Sequence, residues 1–372
     1  MYVDSIKLIN FRNYKKLDIK LNNKLNIFLG NNAQGKTNLL ESIYICSSGK
    51  SYRTNREKEL INLDKDKAYI GIDIFKEGFN KKIEIKLERG KSKRVKVNGV
   101  EVDKMIDLFD IFNVVVFSPE DLKLVKEGPS ERRSFLDNEI SQINPRYRYN
   151  INRYNKILNQ RNNLLKIIQY EKNKKKLLDV WDIQLSSIGS EILNKRFEFL
   201  RSLCSISREI HRKITGNIEE LQLKYLSSIN IDTYNCDEIS NVFIETLKSN
   251  VEMDIERGTT THGPHRDDIQ ISVNNIDIRV FGSQGQQRTA ALSLKLAEIE
   301  LIKAETKEYP VLLLDDVLSE LDENRRKYLI STFKDIQTII TSTDDIEINN
   351  FNKSNKSIYY INKGNVLSDY EN

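Results

Sequence analysis

Apolar and polar residues alternate through residues 5–9, 17–21 and 25–29, the period-2 pattern of half-buried strands. The pattern returns over 68–75, 82–87 and 94–97, where Asn98-Gly99 marks a two-residue hairpin turn. Residues 113–117 form a nearly continuous apolar run and predict a buried central strand. Helical spacing first appears over 38–44. From Ser118 it dominates. Ser118-Pro119-Glu120-Asp121 and Pro129-Ser130-Glu131 are helix starts, with an early proline and acids in the first turn.

Two long amphipathic segments follow. In the first, Tyr147, Ile151, Tyr154, Leu158, Leu165 and Ile168 fall on alternating three- and four-residue steps, and Arg161 breaks the stripe. In the second, Leu178, Trp181, Leu185, Ile188, Ile192, Phe199, Leu203, Ile206 and Ile210 do the same, with Lys195 or Arg196 at the skipped step. The charged link 170–176 between them predicts an antiparallel helical hairpin over about 146–214. Each arm holds about three to five heptads, roughly 35–55 Å at the helical rise. The aromatic residues of the stripe are expected in the core.

Strands return at 221–225, then a helix over 236–257 and a polar break over 259–268. Residues 269–273 and 276–281 predict strands around Asn274-Asn275, and a helix runs from Ser283, its expected N-cap, to about 307. Buried strands follow at 310–316 and 337–344, then a hairpin, 357–361, turning at Lys363-Gly364-Asn365. The arrangement predicts an α/β fold of mixed sheets and helices. One lobe is built from 1–120 and 258–372, and 121–257 form an inserted helical lobe that carries the hairpin.

The chemistry centres on Gly30-Asn31-Asn32-Ala33-Gln34-Gly35-Lys36-Thr37, a G-x-x-x-x-G-K-T phosphate loop between a strand and a helix. Gly30 and Gly35 let the backbone turn so that successive N–H groups converge, and the helix start adds partial positive charge. Lys36 supplies a full charge for β- and γ-phosphates, and the Thr37 hydroxyl is a ligand for Mg²⁺. The strand ending Leu312-Leu313-Leu314-Asp315-Asp316 delivers two acids to the sheet edge where ligands bind. Asp315 suits Mg²⁺, and Asp316 suits the orientation of an attacking water. Arg12, near the first turn, is a further candidate for a nucleotide phosphate. His262, His265, Asp267 and Asp268 have a composition that suits a metal, but Pro264 and the loop spacing argue against one.

Composition adds partners and compartment. The 372 residues carry a net charge of only +5, with 39% hydrophobic and 30% charged side chains. Residues 146–176 hold ten Lys/Arg against Glu171, and 81–96 hold eight against Glu84 and Glu88. Those two stretches exceed the whole net charge, the footprint of a polyanion partner on an otherwise acidic chain. No apolar run reaches the length of a membrane span, and the first residues lack a signal peptide's apolar core. Three widely spaced cysteines suggest reduced thiols and a cytoplasmic protein.

The ordered blocks together resemble the ATP-binding-cassette ATPases of the chromosome-maintenance type, and among them the RecF family of bacterial DNA replication and repair proteins. The residues that carry the resemblance are residues 6–14, 49–54, 117–122, Thr261-His262-Gly263-Pro264-His265-Arg266-Asp267-Asp268 and Ser283-Gln284-Gly285-Gln286-Gln287-Arg288, beside the phosphate loop and the two acids. The resemblance implies an ABC-type ATPase head with ATP and Mg²⁺ as cofactors, Gly30 to Thr37 as the Walker A motif and Asp315 as the Walker B residue. Ser283, Gly285 and Gln286 then belong to the signature motif that meets ATP held by a second copy, and residues 319–322 to the D-loop. Asp316 stands where most of these ATPases have Glu, and Thr343 where transporters have a switch His. Both departures imply slow hydrolysis, and the resemblance implies a weak, DNA-dependent ATPase that serves as a switch. The resemblance further implies an ATP-driven homodimer, single-stranded or gapped DNA, the partners RecR and RecO in recombinase loading, and support of the SOS response. Three other readings remain open, one of them a long-armed chromosome organiser, which needs a coiled coil of hundreds of residues where this arm has a few heptads. A transporter's ATPase subunit fits poorly with the long arm and the missing switch His. A nucleotide switch without DNA would show a flat salt response.

Overall fold

The computed structural model describes residues 1–102, 108, 111–343 and 356–368. The chain divides into two compact units, Met1–Asp121 with Glu298–Asn372, and Leu122–Ala297. It begins in the first unit with β1 (Tyr2–Phe11), β2 (Tyr14–Lys20), β3 (Leu25–Leu29), α1 (Lys36–Ser48), β4 (Lys67–Lys76), β5 (Phe79–Glu88), β6 (Arg94–Val97), β7 (Val100–Glu101) and β8 (Val114–Phe117). The second unit follows with α2 (Lys123–Lys126), α3 (Pro129–Ile143), α4 (Pro145–Ile168), α5 (Leu178–Ile214), β9 (Leu221–Leu226), α6 (Cys236–Ser249), α7 (Val251–Arg257), β10 (Asp268–Val273) and β11 (Ile276–Asp277). Helix α8 (Gln284–Thr306) leads back to β12 (Val311–Asp315), α9 (Glu323–Ser331), β13 (Thr338–Ser342), β14 (Lys356–Asn362) and β15 (Asn365–Ser368). No helix among the described residues is long and apolar enough to cross a membrane.

The first unit holds two six-stranded sheets. One is antiparallel, ordered β2-β1-β4-β5-β6-β7. The other is ordered β15-β14-β3-β13-β12-β8, with parallel pairing from β14 through β8. Helix α1 is buried on most of its circumference, at Leu39, Leu40, Glu41, Ile43, Ile45 and Cys46. A helix so covered belongs inside a core, not on its surface. Its apolar residues share one cluster with Ile6, Leu8, Ile70 and Ile85 of the antiparallel sheet and Val116, Leu313 and Ile339 of the parallel one. Gln337 joins the two sheets directly. Its side-chain amide accepts from Val3 N at 2.7 Å and donates to Val3 O at 2.7 Å, as a strand neighbour would.

The strands lie where the alternation placed them, with three differences. β8 is fully buried but stands at the end of the parallel sheet, beside β12, and not at its centre. A continuous apolar run reports burial on both faces and cannot report strand order. The strand expected over 276–281 stops at Asp277, whose carboxylate accepts from Arg279 N at 2.9 Å while its carbonyl accepts from Phe281 N. That local capture turns the chain before the start of α8. The third difference concerns the second boundary, expected at 258. Residues 258–297 group with the helical unit because β10 pairs antiparallel with β9 along its full length. Asp344, the last residue of the expected strand 337–344, lies outside the described residues.

In the second unit the hairpin is present as α4 and α5, joined through a short 3-10 turn at Lys172–Leu177. Tyr147, Tyr154, Ile168, Leu185, Ile192 and Leu203 are buried. The two breaks in the stripe are buried arginines. Arg161 is fully enclosed, donates to Asp182 at 2.6 Å and Asp254 at 2.7 Å, and reaches Thr260. Arg196, and not Lys195, fills the other gap. It donates to Asp137 at 2.8 Å, Tyr147 Oη at 3.0 Å and the Pro264 carbonyl at 2.6 Å. A guanidinium supplies five donors in a fixed fork, which suits it to such multiple pairing inside a core.

The 261–268 segment is the other half of this polar knot. Asp267 accepts from Tyr225 Oη and from Ser228 N and Oγ. Asp268 takes a two-pronged bond from Arg132 at 2.6 and 2.9 Å. His265 spans Tyr154 Oη at 2.9 Å and the Thr260 carbonyl at 3.1 Å. The carbonyl requires a donor from Nε2, so Nδ1 of the neutral ring accepts from Tyr154. Desolvation lowers the His265 pKa from 6.5 to about 4, partly opposed by the Thr260 carbonyl. The folded site therefore refuses a proton that the unfolded chain binds below pH 6.5. Stability supplied by the neutral ring is complete above pH 6.5 and is lost as the pH falls toward about 4. In urea titrations the wild type is expected to lose about 3 kcal/mol more than His265→Gln across that interval.

Candidate phosphate-binding site

Strand β3 runs up the middle of the parallel sheet and delivers Gly30 at its carboxyl edge. Two neighbours crowd the loop that follows. A side chain at Gly30 would lie 2.5 Å from the Ile361 carbonyl oxygen, and one at Gly35 would lie 2.7 Å from Asn13 Nδ2. Gly35 also holds φ +119°, a region that L residues rarely adopt. The loop's outer carbonyls are tied down. Asn13 Nδ2 donates to Gln34 O at 2.8 Å, Gly364 N donates to the same oxygen at 3.0 Å, and Tyr14 Oη donates to Gly35 O at 3.0 Å. Lys363 N donates to Gln34 Oε1 at 2.7 Å. The cradle is thus fixed from two sides, by the β1–β2 turn and by the β14–β15 turn.

Lys36 is 6% exposed and curls into the loop, donating to Gly30 O at 2.6 Å and Asn31 O at 3.2 Å. Desolvation lowers its pKa, and the charges of Asp316 and Asp315 pull the other way. Thr37 Oγ1 donates to Asp315 Oδ1 at 2.9 Å. The structure therefore brings together a loop hydroxyl and a strand carboxylate that are 278 residues apart in the chain. The register explains it. β12 pairs with β13, β13 pairs with β3, and Asp315 falls opposite Thr341. Thr341 Oγ1 donates to the same Asp315 oxygen at 2.9 Å. Asp316 follows with φ +56°, strained for a non-glycine residue, and its N–H lies 3.2 Å from Thr341 O.

Thr341, Asn13 and Tyr14 were not singled out by their chemistry in the sequence. Thr343 is exposed. Thr341 is buried within β13, and the pairing of β13 with β12 is what places it against Asp315. Arg12 faces Glu41 and not the loop: it donates to both carboxylate oxygens at 2.9 and 2.7 Å, and to the Glu59 carbonyl. Glu41 is fully buried and also accepts from Ser51 and Arg53. Arg53 continues to Asn38, and Asn38 to Asn13, so a chain of bonds runs from the buried carboxylate to the loop.

Ser283, Gly285 and Gln286 lie in the second unit, at the start of α8. Gln286 N donates to Ser283 Oγ at 3.2 Å, and Ser283 N donates to Gln286 Oε1 at 3.0 Å. This is a reciprocal capping box with Ser283 as N-cap. Ser283 is exposed. The oxygen set of Thr37 and Asp315 is of the kind that hard divalent cations prefer.

Residues 2–366 match the RecF/RecN/SMC N terminal domain family. The DNA replication and repair protein RecF of Alkaliphilus oremlandii is 48% identical over 98% of this chain and 100% of its own length. The chain belongs to the RecF family. RecF of Clostridium novyi is 49% identical over 98% of the chain and 99% of its own length. A solved structure of RecF with ATP, described as the recombination mediator protein of the RecFOR pathway, superposes with a TM-score of 0.93 at 37% identity and covers 99% of the chain. The Smc head domain of Pyrococcus furiosus, at 18% identity and a TM-score of 0.56, shares the fold. The α/β ATPase-head fold expected from the motifs is therefore that of RecF and of SMC heads.

The cradle's geometry makes one substitution informative. Gly35→Ala forces a side chain into φ +119° and against Asn13. It is expected to lower stability by about 1–3 kcal/mol in chemical denaturation.

Proposed function

We propose that this chain is an ATP-dependent DNA-binding clamp that acts in recombinational repair and replication. The observation that carries the reading is the 2.9 Å contact of Thr37 with Asp315 beside a glycine-built phosphate loop. The RecF relatives, at 48 and 49% identity over nearly their full length, support the biological setting.

The loop and the amino end of α1 bind the phosphates of ATP, with Lys36 exchanging its loop carbonyls for phosphate oxygens. Thr37 and Asp315 hold Mg²⁺, which neutralises phosphate charge when bound. Asp316 orients the attacking water. Its carboxylate is one methylene shorter than glutamate, and no histidine stands at residue 343, so hydrolysis is slow and serves to end a bound state. Ser283, Gly285 and Gln286 meet the triphosphate held by a second copy, so that ATP favours a two-fold homodimer.

DNA binds through the basic stretches. On the hairpin, Arg146, Arg153, Lys156, Lys166, Lys172 and Lys176 are exposed, whereas Arg161 is buried and contributes nothing to that surface. On the antiparallel sheet, Lys82, Lys86, Arg89, Lys91 and Arg94 are exposed. Pairing two copies doubles these weak surfaces into a clamp. Single-stranded or gapped DNA, and RecO and RecR as partners in loading recombinase, are the substrates and partners of this reading. The site of action is the cytoplasm.

Sizing with and without ATP tests the reading. Wild type with ATP is expected to pair and retain gapped DNA, and Lys36→Ala to stay monomeric and release it. Equal retention by both would refute nucleotide control. Raising salt from about 50 to 200 mM is expected to weaken DNA binding about a thousandfold if about six phosphates are neutralised. A flat response in filter binding would remove the role given to the basic stretches.

A further inference from the structure

The hydrogen bonds of the capping box do not end within α8. The Gln286 side chain has two ends, and only its oxygen is used by Ser283. Its nitrogen donates to Glu219 Oε1 at 3.0 Å. Glu219 lies in the short connection between α5 and β9. Its second oxygen, Oε2, is 3.2 Å from His211 Nε2. His211 is fully buried in the last turn of α5, and its Nδ1 lies 3.1 Å from Ser293 Oγ. Ser293 is on α8, seven residues and therefore two turns beyond Gln286, on the same face. Its hydroxyl donates to the Thr289 carbonyl at 2.8 Å.

These contacts close a ring: Gln286, Glu219, His211 and Ser293, with α8 on one side and the end of the long arm helix on the other. The ring fixes what the capping box alone leaves free. A glutamine amide on an exposed helix tip samples several rotamers, and only one lets its oxygen accept from Ser283 N. The Glu219 carboxylate selects that rotamer by holding the nitrogen. A bond to a charged acceptor is among the stronger ones available, and the buried imidazole keeps the carboxylate oriented.

We propose that Glu219 is a positioning residue for the signature segment. It sets Gln286, and through Gln286 the backbone of Ser283, in the arrangement that meets the second copy's nucleotide. Glu219 touches no nucleotide itself. His211 carries the same constraint into the arm, so that the signature tip and the carboxyl end of α5 are held as one piece. The inference rests on the dimer reading given above and adds the residue that makes its second half rigid.

The test compares Glu219→Ala and Glu219→Gln with wild type in the full chain. Two quantities are measured. One is ATP-dependent pairing by sedimentation velocity. The other is the affinity of a fluorescent ATP analogue for the cradle, at protein concentrations too low for pairing. Glu219→Ala is expected to weaken pairing about tenfold, the loss of one charge-assisted bond, with the cradle's affinity unchanged. Glu219→Gln keeps an oxygen for Gln286 and is expected to restore most of the pairing. Pairing of Glu219→Ala at the wild-type level overturns the role. So does a Gln variant as weak as the Ala variant, or an Ala variant whose cradle affinity falls as well, because Glu219 would then be a packing residue. A wild type that stays monomeric with ATP refutes the dimer reading itself, which separates the two failures.

Discussion

A single carboxylate oxygen organises the first unit. Asp315 Oδ1 accepts from Thr37 on the loop and from Thr341 on the neighbouring strand, both at 2.9 Å. Each bond depends on a different part of the fold. The first needs the loop to end at the amino tip of α1, and the second needs β12 and β13 in register. A one-residue slip would turn Asp315 to the opposite face of the sheet. The parallel core of Val, Ile and Leu on both faces resists that slip, because every residue of β12 and β13 is buried. Apolar packing thus sets the position of a polar contact that no local rule requires.

The second unit is governed by buried charge. Arg161 and Arg196 sit where the hydrophobic stripe of the hairpin skips a step; Arg161 gathers two acids, Asp182 and Asp254, and Arg196 gathers Asp137 and the Pro264 carbonyl, all from elements distant in sequence. Replacing Arg161 would leave two carboxylates enclosed without a cation, which costs several kcal/mol. The histidine-rich segment at 261–268 belongs to this arrangement. Its polar groups are directed at Tyr154, Arg132, Ser228 and Arg196, and among the described residues no cluster of His, Cys, Asp and Glu is arranged for a metal.

Elements with strong periodicity were legible in the chain: the first strands, the hairpin of α4 and α5, and the loop between β3 and α1. The place of the two acids was legible because a buried apolar run has to end at polar residues on the sheet edge. What periodicity could not give is anything set by neighbours. β8 reads as central and lies at an edge. Arg12 reads as a candidate phosphate ligand, but its pairing with Glu41, a buried acid inside an apolar helix, could not be read from the chain. Thr341 reads as one of several hydroxyls on a strand until its partner strand is known. In each case the missing information is pairing across the sheet or packing across the core, which a one-dimensional pattern does not contain.

The turn at Lys363-Gly364 grips Gln34, and the Ile361 carbonyl stands against Gly30. The cradle encoded near the beginning of the chain is therefore completed by residues translated more than three hundred positions later. Contacts of such long range form late, since the intervening loop must first be closed. A nascent polypeptide still on the ribosome has the glycines and the lysine but lacks the clamp that shapes them. The shaping of the loop therefore waits for residues 361–364, and a chain translated only as far as β13 still lacks the strand that pairs with the other edge of β3.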